Sequence, residues 1–328
     1  MPSTSAGTLQ PVGTGVGGTL PAMELGSLRS TWIVLSLVST ELLGQQVPDT
    51  LFHPTIEAPR FAAGMGPVVM LDEAHHNFHT LTGRYRAFAT VLRADGYTVL
   101  ANQSAFESTA LSAGSVLVIA NALHSRNVQD WRLPCPSAFT AKEIGAVVEW
   151  VRSGGALFLI ADHMPMAGAA ADLGRAFGFD FLNCFAMDQR ERTTERFHAT
   201  EGLNMAHAII RGSRPSELVD TVITLTGSAF QMPEGADALI SLTDHYQLLE
   251  PAEAWAFPAD TPGRSGAGWQ QGAALEFGKG RVVVFGEAAM FSAQLAGPHA
   301  KPVGLNQPGM RGNIQLLRNI MSWLSGSP

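Results

Sequence analysis

The stretch TAKEIGAVVEWVRSGGALFLIADH, residues 140–163, carries the strongest information about the fold. Thr140 and Glu143 have the spacing of a capping box, so the sequence predicts a helix that begins at this point. Gly154 and Gly155 end that helix. The continuous apolar run that comes next predicts a strand buried on both faces, as in a parallel sheet covered by helices.

The same alternation of apolar runs and amphipathic segments extends in both directions from this stretch. Further strands are predicted at 67–71, 97–101, 115–122, 219–227 and 236–244, and as a hairpin over 272–288. Further helices are predicted at 84–96, 167–178 and 313–326. We therefore predict an α/β fold: a flavodoxin-like, doubly wound, mainly parallel sheet with helices on both faces and extra antiparallel strands in the C-terminal half.

The composition fits a compact core and argues against two classes of partner. Of the 328 residues, 46% are apolar and 15% are charged, and the net charge is -7. A negative chain is a poor match for nucleic acid or an anionic membrane surface, so we expect a small-molecule substrate instead. The two cysteines, Cys135 and Cys184, have no zinc-ribbon spacing, and the sequence leaves open whether they pair. It does not indicate an oligomeric state.

The N-terminal part divides into a leader and an extended linker, together 1–66, ahead of a single α/β domain, 67–328. The apolar run after Arg29 is too short for a membrane span and predicts a signal segment within 23–45, although Glu41 is unusual there. The alternative is an amphipathic N-terminal helix. We expect an exported protein, periplasmic or extracellular, or a cytoplasmic one if this segment is not a signal, without stable membrane insertion of the mature domain.

Polar side chains follow four of the predicted strands at the point where each strand ends. Because parallel strands place their carboxyl ends at one edge of a sheet, these side chains are expected to converge there, where open α/β sheets bind ligands. The residues are Asp72, Glu73, His75, His76 and His79 after the first strand, Asn121 and His124 after the apolar run 115–120 of the third, Asp162 and His163 after the fourth, and Glu287 after the hairpin.

A metal-dependent hydrolase of a small ester, lactone, amide or sugar-derived substrate is the leading hypothesis. His75 and His79 stand at i and i+4, which on a helix places both imidazoles on one face. With Asp72, Asp162 and His163 they form a candidate ligand set for a divalent metal ion, zinc most readily. The metal would activate a water molecule, and Glu73, His76 or Glu287 would serve as catalytic acid–base groups. A polar loop with helix-capping carboxylates is the structural alternative.

Two other functions remain open. One is a non-catalytic carbohydrate- or small-ligand-binding module, with Trp269 and Phe291 as a stacking platform. The other is a metal-free hydrolase, in which a histidine of the cluster activates the hydroxyl of Ser228 or Ser292. The sequence contains no GxSxG, Walker A or HExxH motif, which argues against standard serine hydrolases, P-loop proteins and zincins.

The order of strands, the segment GGALFLIADH (154–163) and the segment GKGRVVVFGEAAMF (278–291) resemble the class I glutamine amidotransferase-like superfamily, in particular its poorly characterised exported bacterial branch. The resemblance covers roughly 67–325. It implies a flavodoxin-like sandwich with a site near Asp162 and His163. In true amidotransferases a nucleophilic cysteine follows the corresponding strand. Here the turn reads Ala161-Asp162-His163, lacking that cysteine, so the resemblance does not extend to glutaminase chemistry.

Overall fold

The computed structural model describes residues 46–190 and 194–326. The strands in these residues are β1 Val47–Pro48, β2 Val68–Asp72, β3 Thr98–Asn102, β4 Val116–Ala120, β5 Ala156–Ile160, β6 Asp180–Asp188, β7 Glu195–His198, β8 Thr221–Thr224, β9 Gly227–Gln231, β10 Asp237–Ser241, β11 Tyr246–Leu249, β12 Gly263–Ser265, β13 Gln270–Phe277, β14 Gly280–Phe285, β15 Ala293–Ala296 and β16 Lys301–Gly304. The α-helices are α1 Arg86–Ala94, α2 Ser108–Leu111, α3 Ala141–Arg152, α4 Met166–Ala176, α5 Ala208–Arg211 and α6 Arg311–Leu324. Single 3₁₀ turns lie at Ser125–Asn127, Pro215–Glu217 and Ala289–Phe291.

An 11-stranded mixed sheet forms the centre of the molecule. Its parallel part runs in the order β3-β2-β4-β5-β14. When these five strands are numbered by their order along the chain, their spatial order is 2-1-3-4-5, the arrangement of flavodoxin-like folds. The antiparallel part continues from β14 through β13, β9, β6, β11 and β12, with β10 also paired to β13. The predicted fold class is therefore confirmed, including the antiparallel strands contributed by the C-terminal half.

The predicted hairpin decides which groups share the carboxyl edge of the sheet. Strands β13 and β14 pair antiparallel around a tight turn, where Gly278 has φ 62°. Strand β14 then pairs in parallel with β5, with Phe285 opposite Ile160. Glu287 and Asp162 therefore leave neighbouring parallel strands at the same edge.

Helices cover both faces of the sheet. Alternate side chains of a central strand therefore pack in two different apolar clusters, one on each face. In β5, Phe158 and Ile160 pack in the cluster that contains residues of α1 and α6. Leu157 and Leu159 point the other way, into the cluster that contains residues of α3 and α4. The central strands are thus buried on both sides, as their uninterrupted apolar runs predict.

The capping box predicted at Thr140 and Glu143 is formed at the start of α3. The Thr140 side chain accepts a hydrogen bond from the Glu143 backbone N–H, and the Glu143 carboxylate accepts one from the Thr140 N–H at 3.0 Å. Glu143 is buried despite its charge. Its carboxylate therefore needs a further polar partner, which the loop after β2 supplies through His75.

Residues 46–66, predicted as an extended linker, lie against the sheet and its helices. Strand β1 pairs with β15, and Phe52 and Phe61 pack against the apolar core. The predicted signal segment, 23–45, lies outside the described residues. Within those residues, no helix has the length and apolar character needed to cross a membrane.

Candidate functional site

The loops after β2, β4 and β5 are joined by hydrogen bonds at the carboxyl edge of the sheet. Asn121 is central to this arrangement: its carbonyl accepts from the Phe78 N–H at 2.9 Å, and its side-chain oxygen accepts from the Asp162 N–H at 2.9 Å. Asn121 has φ 51°, a left-handed conformation that asparagine tolerates better than most residues. The Leu123 N–H also donates to the His75 carbonyl. The ends of these strands therefore converge through backbone hydrogen bonds and the Asn121 side chain.

His75 is clamped between two carboxylates. Its Nδ1 lies 2.9 Å from Asp72 Oδ2, and its Nε2 lies 2.9 Å from Glu143 Oε1. Burial alone would lower the pKa of His75, but the two carboxylates outweigh it and raise that pKa above 6.5. For Glu143, burial opposes ionisation, yet hydrogen bonds from His75 and Thr140 hold its pKa at about 2. The charged triad links the β2 loop to the start of α3.

The helical pairing of His75 with His79 is wrong, because the segment after β2 is an irregular loop. Asn77 folds this loop: its side-chain oxygen accepts from the His75 N–H, and its amide donates to Asp72 at 2.9 Å. Asp72 also accepts from the Ala74 N–H, so its oxygens are already used. Throughout residues 46–190 and 194–326, no group of three His, Cys, Asp or Glu side chains is arranged to hold a metal ion.

His79 has a different environment from His75. It is 2% exposed, and neither ring nitrogen has a hydrogen-bond partner in the part of the chain that the structure describes. Its ring lies 4.4 Å from the ring of Tyr85, between centroids. Burial, followed by the nearby charge of Arg84, lowers the pKa of His79 well below 6.5. His79 is therefore a buried, neutral imidazole with unused hydrogen-bonding capacity.

Asp162 and Glu287 form a buried acid pair. Consecutive backbone N–H groups hold the two carboxyls: Ala288 donates to Asp162, while Ala289 and Met290 donate to Glu287 at 2.8 and 2.7 Å. Burial raises the pKa of Glu287 well above 4.5, and the negative charge of Asp162 raises it further. Burial also raises the pKa of Asp162 from 3.8. Two carboxyls in one buried place cannot both ionise readily, so the pair retains a proton more strongly than either acid alone.

Tyr85 and Gln271 surround this acid pair with further polar groups. The Tyr85 hydroxyl donates to the Ala288 carbonyl at 3.0 Å, and burial together with both carboxylates raises its pKa well above 10.0. Gln271 is fully buried, and its amide has no partner among the described residues. A Cβ placed on Gly227 would lie 2.7 Å from Gln271 Nε2 and 3.1 Å from the Glu287 Cβ, which locates this amide beside Glu287.

His163 stands beside the acid pair inside an aromatic enclosure. Its Nδ1 donates to the Met164 carbonyl at 2.7 Å, which leaves the lone pair of the neutral ring on Nε2. No hydrogen-bond partner for Nε2 is found within the described ranges. The ring stacks on Phe185 at 4.4 Å and meets Trp255 edge-on at 4.8 Å, and Trp131 lies 6.1 Å away. His163 thus has a fixed orientation, with Nε2 left as the hydrogen-bond acceptor of the neutral ring.

The other predicted residues occupy positions outside this centre. His76 is exposed with φ 48°, and Glu73 accepts a hydrogen bond from the Leu81 N–H. Ser228 and Ser292 are fully buried and donate to backbone carbonyls, so neither hydroxyl is presented as a nucleophile.

The predicted aromatic stacking platform also needs correction. Phe291 is fully buried in the core, so its pairing with Trp269 as a stacking surface is wrong. Cys135 and Cys184 are free thiols. Sequence reasoning missed the site roles of Glu143, Trp131 and Trp255, because each reaches the site from a distant segment. Only the capping-box spacing draws attention to Glu143 in the sequence.

Comparison with known proteins supports the fold and gives no information on the activity. No protein-family model matches the sequence, and no curated protein matches it. The solved mmIFT52 N-terminal domain superposes with a TM-score of 0.51 and 14% identity, covering 79% of this chain and 97% of that domain. A ThuA-like protein from Bacteroides uniformis gives a TM-score of 0.43 at 13% identity, covering 83% of this chain and 94% of that one. At these identities the comparisons bear on the fold alone.

Proposed function

We propose that the protein is a hydrolase of a small ester, lactone, amide or sugar-derived substrate, with its acid–base groups at the carboxyl edge of the sheet. The observation that carries this proposal is the buried Asp162–Glu287 pair next to the oriented ring of His163. Strongly perturbed ionisable groups at the ligand-binding edge of an α/β sheet are typical of functional sites.

In the proposed reaction, water adds to the substrate carbonyl and loses a proton to Nε2 of His163. The carbonyl bond to the leaving group then breaks, and the protonated carboxyl of the acid pair supplies a proton to the leaving oxygen or nitrogen. Proton transfer from His163 back to the pair restores the starting state. The hydrogen bond from His163 Nδ1 to the Met164 carbonyl supports this role, because it fixes the tautomer that accepts at Nε2.

A metal-dependent version of this hydrolase is less well supported by the side chains present. Zinc on Asp72, His75, His79, Asp162 and His163 would have to displace the Asp72–His75–Glu143 contacts. Elemental mass spectrometry of the wild type, His79→Ala and His163→Ala tests this version. About one equivalent of zinc in the wild type, lost in both variants, would favour the metal-dependent reaction over the metal-free one.

Ligand binding without turnover is the second candidate, and the aromatic side chains around His163 favour it. Trp131 and Trp255 are half-buried, and Phe257 is exposed beside Phe185, at 5.1 Å between ring centroids. Flat aromatic surfaces next to a polar floor suit a small neutral ligand. Saturable binding of a compound that is recovered unchanged selects this function.

The experiment that tests the hydrolase is a screen of small lactones, esters and amides with the wild type, Glu287→Gln and His163→Ala. We expect turnover to fall at least about 100-fold in both variants, as is usual when a general acid or base is removed. His299→Ala, in an exposed turn, is the matched histidine control and keeps wild-type turnover. Equal turnover in all four proteins contradicts the proposal.

Export and the missing cysteine complete the proposal. The apolar run after Arg29 supports a signal segment within 23–45, and cell fractionation with N-terminal sequencing of the mature protein tests it. The turn Ala161-Asp162-His163, which has no cysteine where amidotransferases carry their nucleophile, supports a branch of that superfamily without glutaminase activity. Release of ammonia from glutamine would contradict this assignment.

A further inference from the structure

A cavity of about 470 Å³ lies away from the acid pair, at the start of α6. The extended segment 55–58, the turn at 214–217 and the residues that lead into α6 form its walls. Its polar lining includes Arg214, Arg311, Arg318, Gln307 and Gln315. None of these residues contacts the acid pair or His163, so a ligand in this cavity would be independent of the hydrolase.

The acidic groups near this cavity are largely neutralised by other contacts. Glu217 accepts from an Arg60 guanidinium N–H at 3.3 Å and from the Ser213 N–H at 2.9 Å. Asp95 accepts from Arg318 at 2.8 Å. Of the carboxylates that line the cavity, only the exposed Glu57 is left to oppose the arginines in the described part of the chain.

The arginines are arranged with spare hydrogen-bonding capacity. Arg214 and Arg311 are exposed and form no ion pair within residues 46–190 and 194–326. Arg318 is held by Asp95, the Ala58 carbonyl and Gln315, so it adds a guanidinium of fixed position to the cavity wall. An exposed guanidinium without a carboxylate partner keeps its N–H donors available, and an oxyanion is their natural partner.

The helix at this place has the charge pattern of an anion site. Helix α6 is 14 residues long, its first residue is Arg311, and no acidic residue lies in its first turn. A cationic side chain at the positive end of a helix dipole is unfavourable unless a bound anion balances the side chain and the dipole. Met310 at the N-cap supplies no side-chain cap. The cavity, the arginines and the helix start therefore favour the same kind of ligand.

We propose that this cavity binds a small phosphate-bearing anion. Arg214 and Arg311 supply exposed guanidinium donors, Arg318 supplies a guanidinium held in place by Asp95, and Gln307 and Gln315 add polar side chains to the lining. The whole chain carries a net charge of -7, so a local excess of arginine is not explained by the composition. The cavity has room for a phosphorylated small molecule as well as for a free phosphate group.

The test is calorimetric titration of the full chain with inorganic phosphate and with pyrophosphate at low ionic strength. We expect one saturable site that binds pyrophosphate more tightly than phosphate. Affinity should fall about tenfold or more in Arg311→Ala and in Arg214→Ala, which corresponds to the loss of about one charge-assisted contact. Arg311→Lys should retain part of the affinity.

The control is Arg86→Ala, which removes an exposed arginine of α1 that forms no ion pair in the described residues. This variant should bind like the wild type. Thermal unfolding of each variant shows whether it is folded before titration. No saturable binding by the wild type, or an equal loss of affinity in Arg86→Ala, would overturn the proposal. Neither outcome bears on turnover at the acid pair.

Discussion

At the scale of single residues, buried acids dominate the chemistry of this protein. Glu195 is a second example beside the Asp162–Glu287 pair. It is 2% exposed, accepts from the Thr224 hydroxyl at 3.0 Å, and burial raises its pKa to about 8. Its charge also contributes to the raised pKa of Glu287. Deprotonation of Glu195 is therefore expected to affect both stability and the site.

The first prediction concerns the pH dependence of stability. Because the folded pKa of Glu195 is raised, the native state holds more protons than the unfolded state between pH 4.5 and about 8. The contribution of Glu195 to the free energy of unfolding is therefore largest below pH 4.5, and it falls as the pH rises to about 8. Glu195→Gln cannot ionise and should flatten this slope in urea unfolding. Glu276→Gln, on the exposed side of β13, should leave the slope unchanged; an unchanged slope in Glu195→Gln would refute the assignment.

The second prediction concerns the histidine clamp. The folded pKa of His75 is raised, so its stabilising contribution is fully present below pH 6.5 and is lost as pH rises through the raised value. His75→Gln should lower the free energy of unfolding by about 3 kcal/mol below pH 6.5, because it leaves two buried carboxylates without their cation. The control is His76→Asn, at the exposed neighbour, where asparagine tolerates the φ of 48°. Similar losses in the two variants would show that the clamp does not stabilise the fold.

At the scale of elements, the sequence predicts the first half of the sheet well because each strand there is a short, uninterrupted apolar run. The prediction fails where strands contain polar residues. Strand β6 is not predicted, since Asn183 interrupts it and Asp188 ends it. The charged run after it leads into β7, where Glu195 and Phe197 are buried. Tertiary burial decides these segments, and local pattern does not reveal it.

The site, like the sheet, was predictable only in part. Parallel strands bring their carboxyl ends together, so the convergence of Asp162 and Glu287 follows from topology alone. The partner of His75 does not, since Glu143 comes from 68 residues away. The loop that carries His75 and His79 has helical spacing, but the hydrogen bonds of Asn77 to the backbone and to Asp72 favour a turn instead.

The third prediction tests the start of α3. Thr140→Ala should lower the free energy of unfolding by about 1 kcal/mol, because it removes the acceptor for the Glu143 N–H. Thr140→Ser keeps that acceptor and should stay close to the wild type in chemical denaturation. If Ser and Ala destabilise equally, the capping box is not what stabilises this helix.

At the scale of the whole molecule, the segment 46–66 behaves as part of the domain. Phe52 and Phe61 pack on the core, and Arg60 reaches Glu217 at 3.3 Å. The fourth prediction is that a chain beginning at Pro67 is less stable than one beginning at Gln46 by about 3 kcal/mol or more, the approximate worth of two partly buried aromatic side chains. Thermal unfolding of the two chains checks this. Identical midpoints would show that the segment is a linker, as the sequence predicts.

The proton held by the acid pair is the claim on which the site depends, and carboxyl ¹³C NMR of glutamate-labelled protein measures it directly. Glu287→Gln assigns the resonance, and the pH is raised from acid to alkaline. Our account predicts that the Glu287 carboxyl keeps its proton well above pH 4.5. A Glu287 resonance that titrates at or below pH 4.5 would contradict it, and the acid pair could then no longer supply a proton to a leaving group at neutral pH.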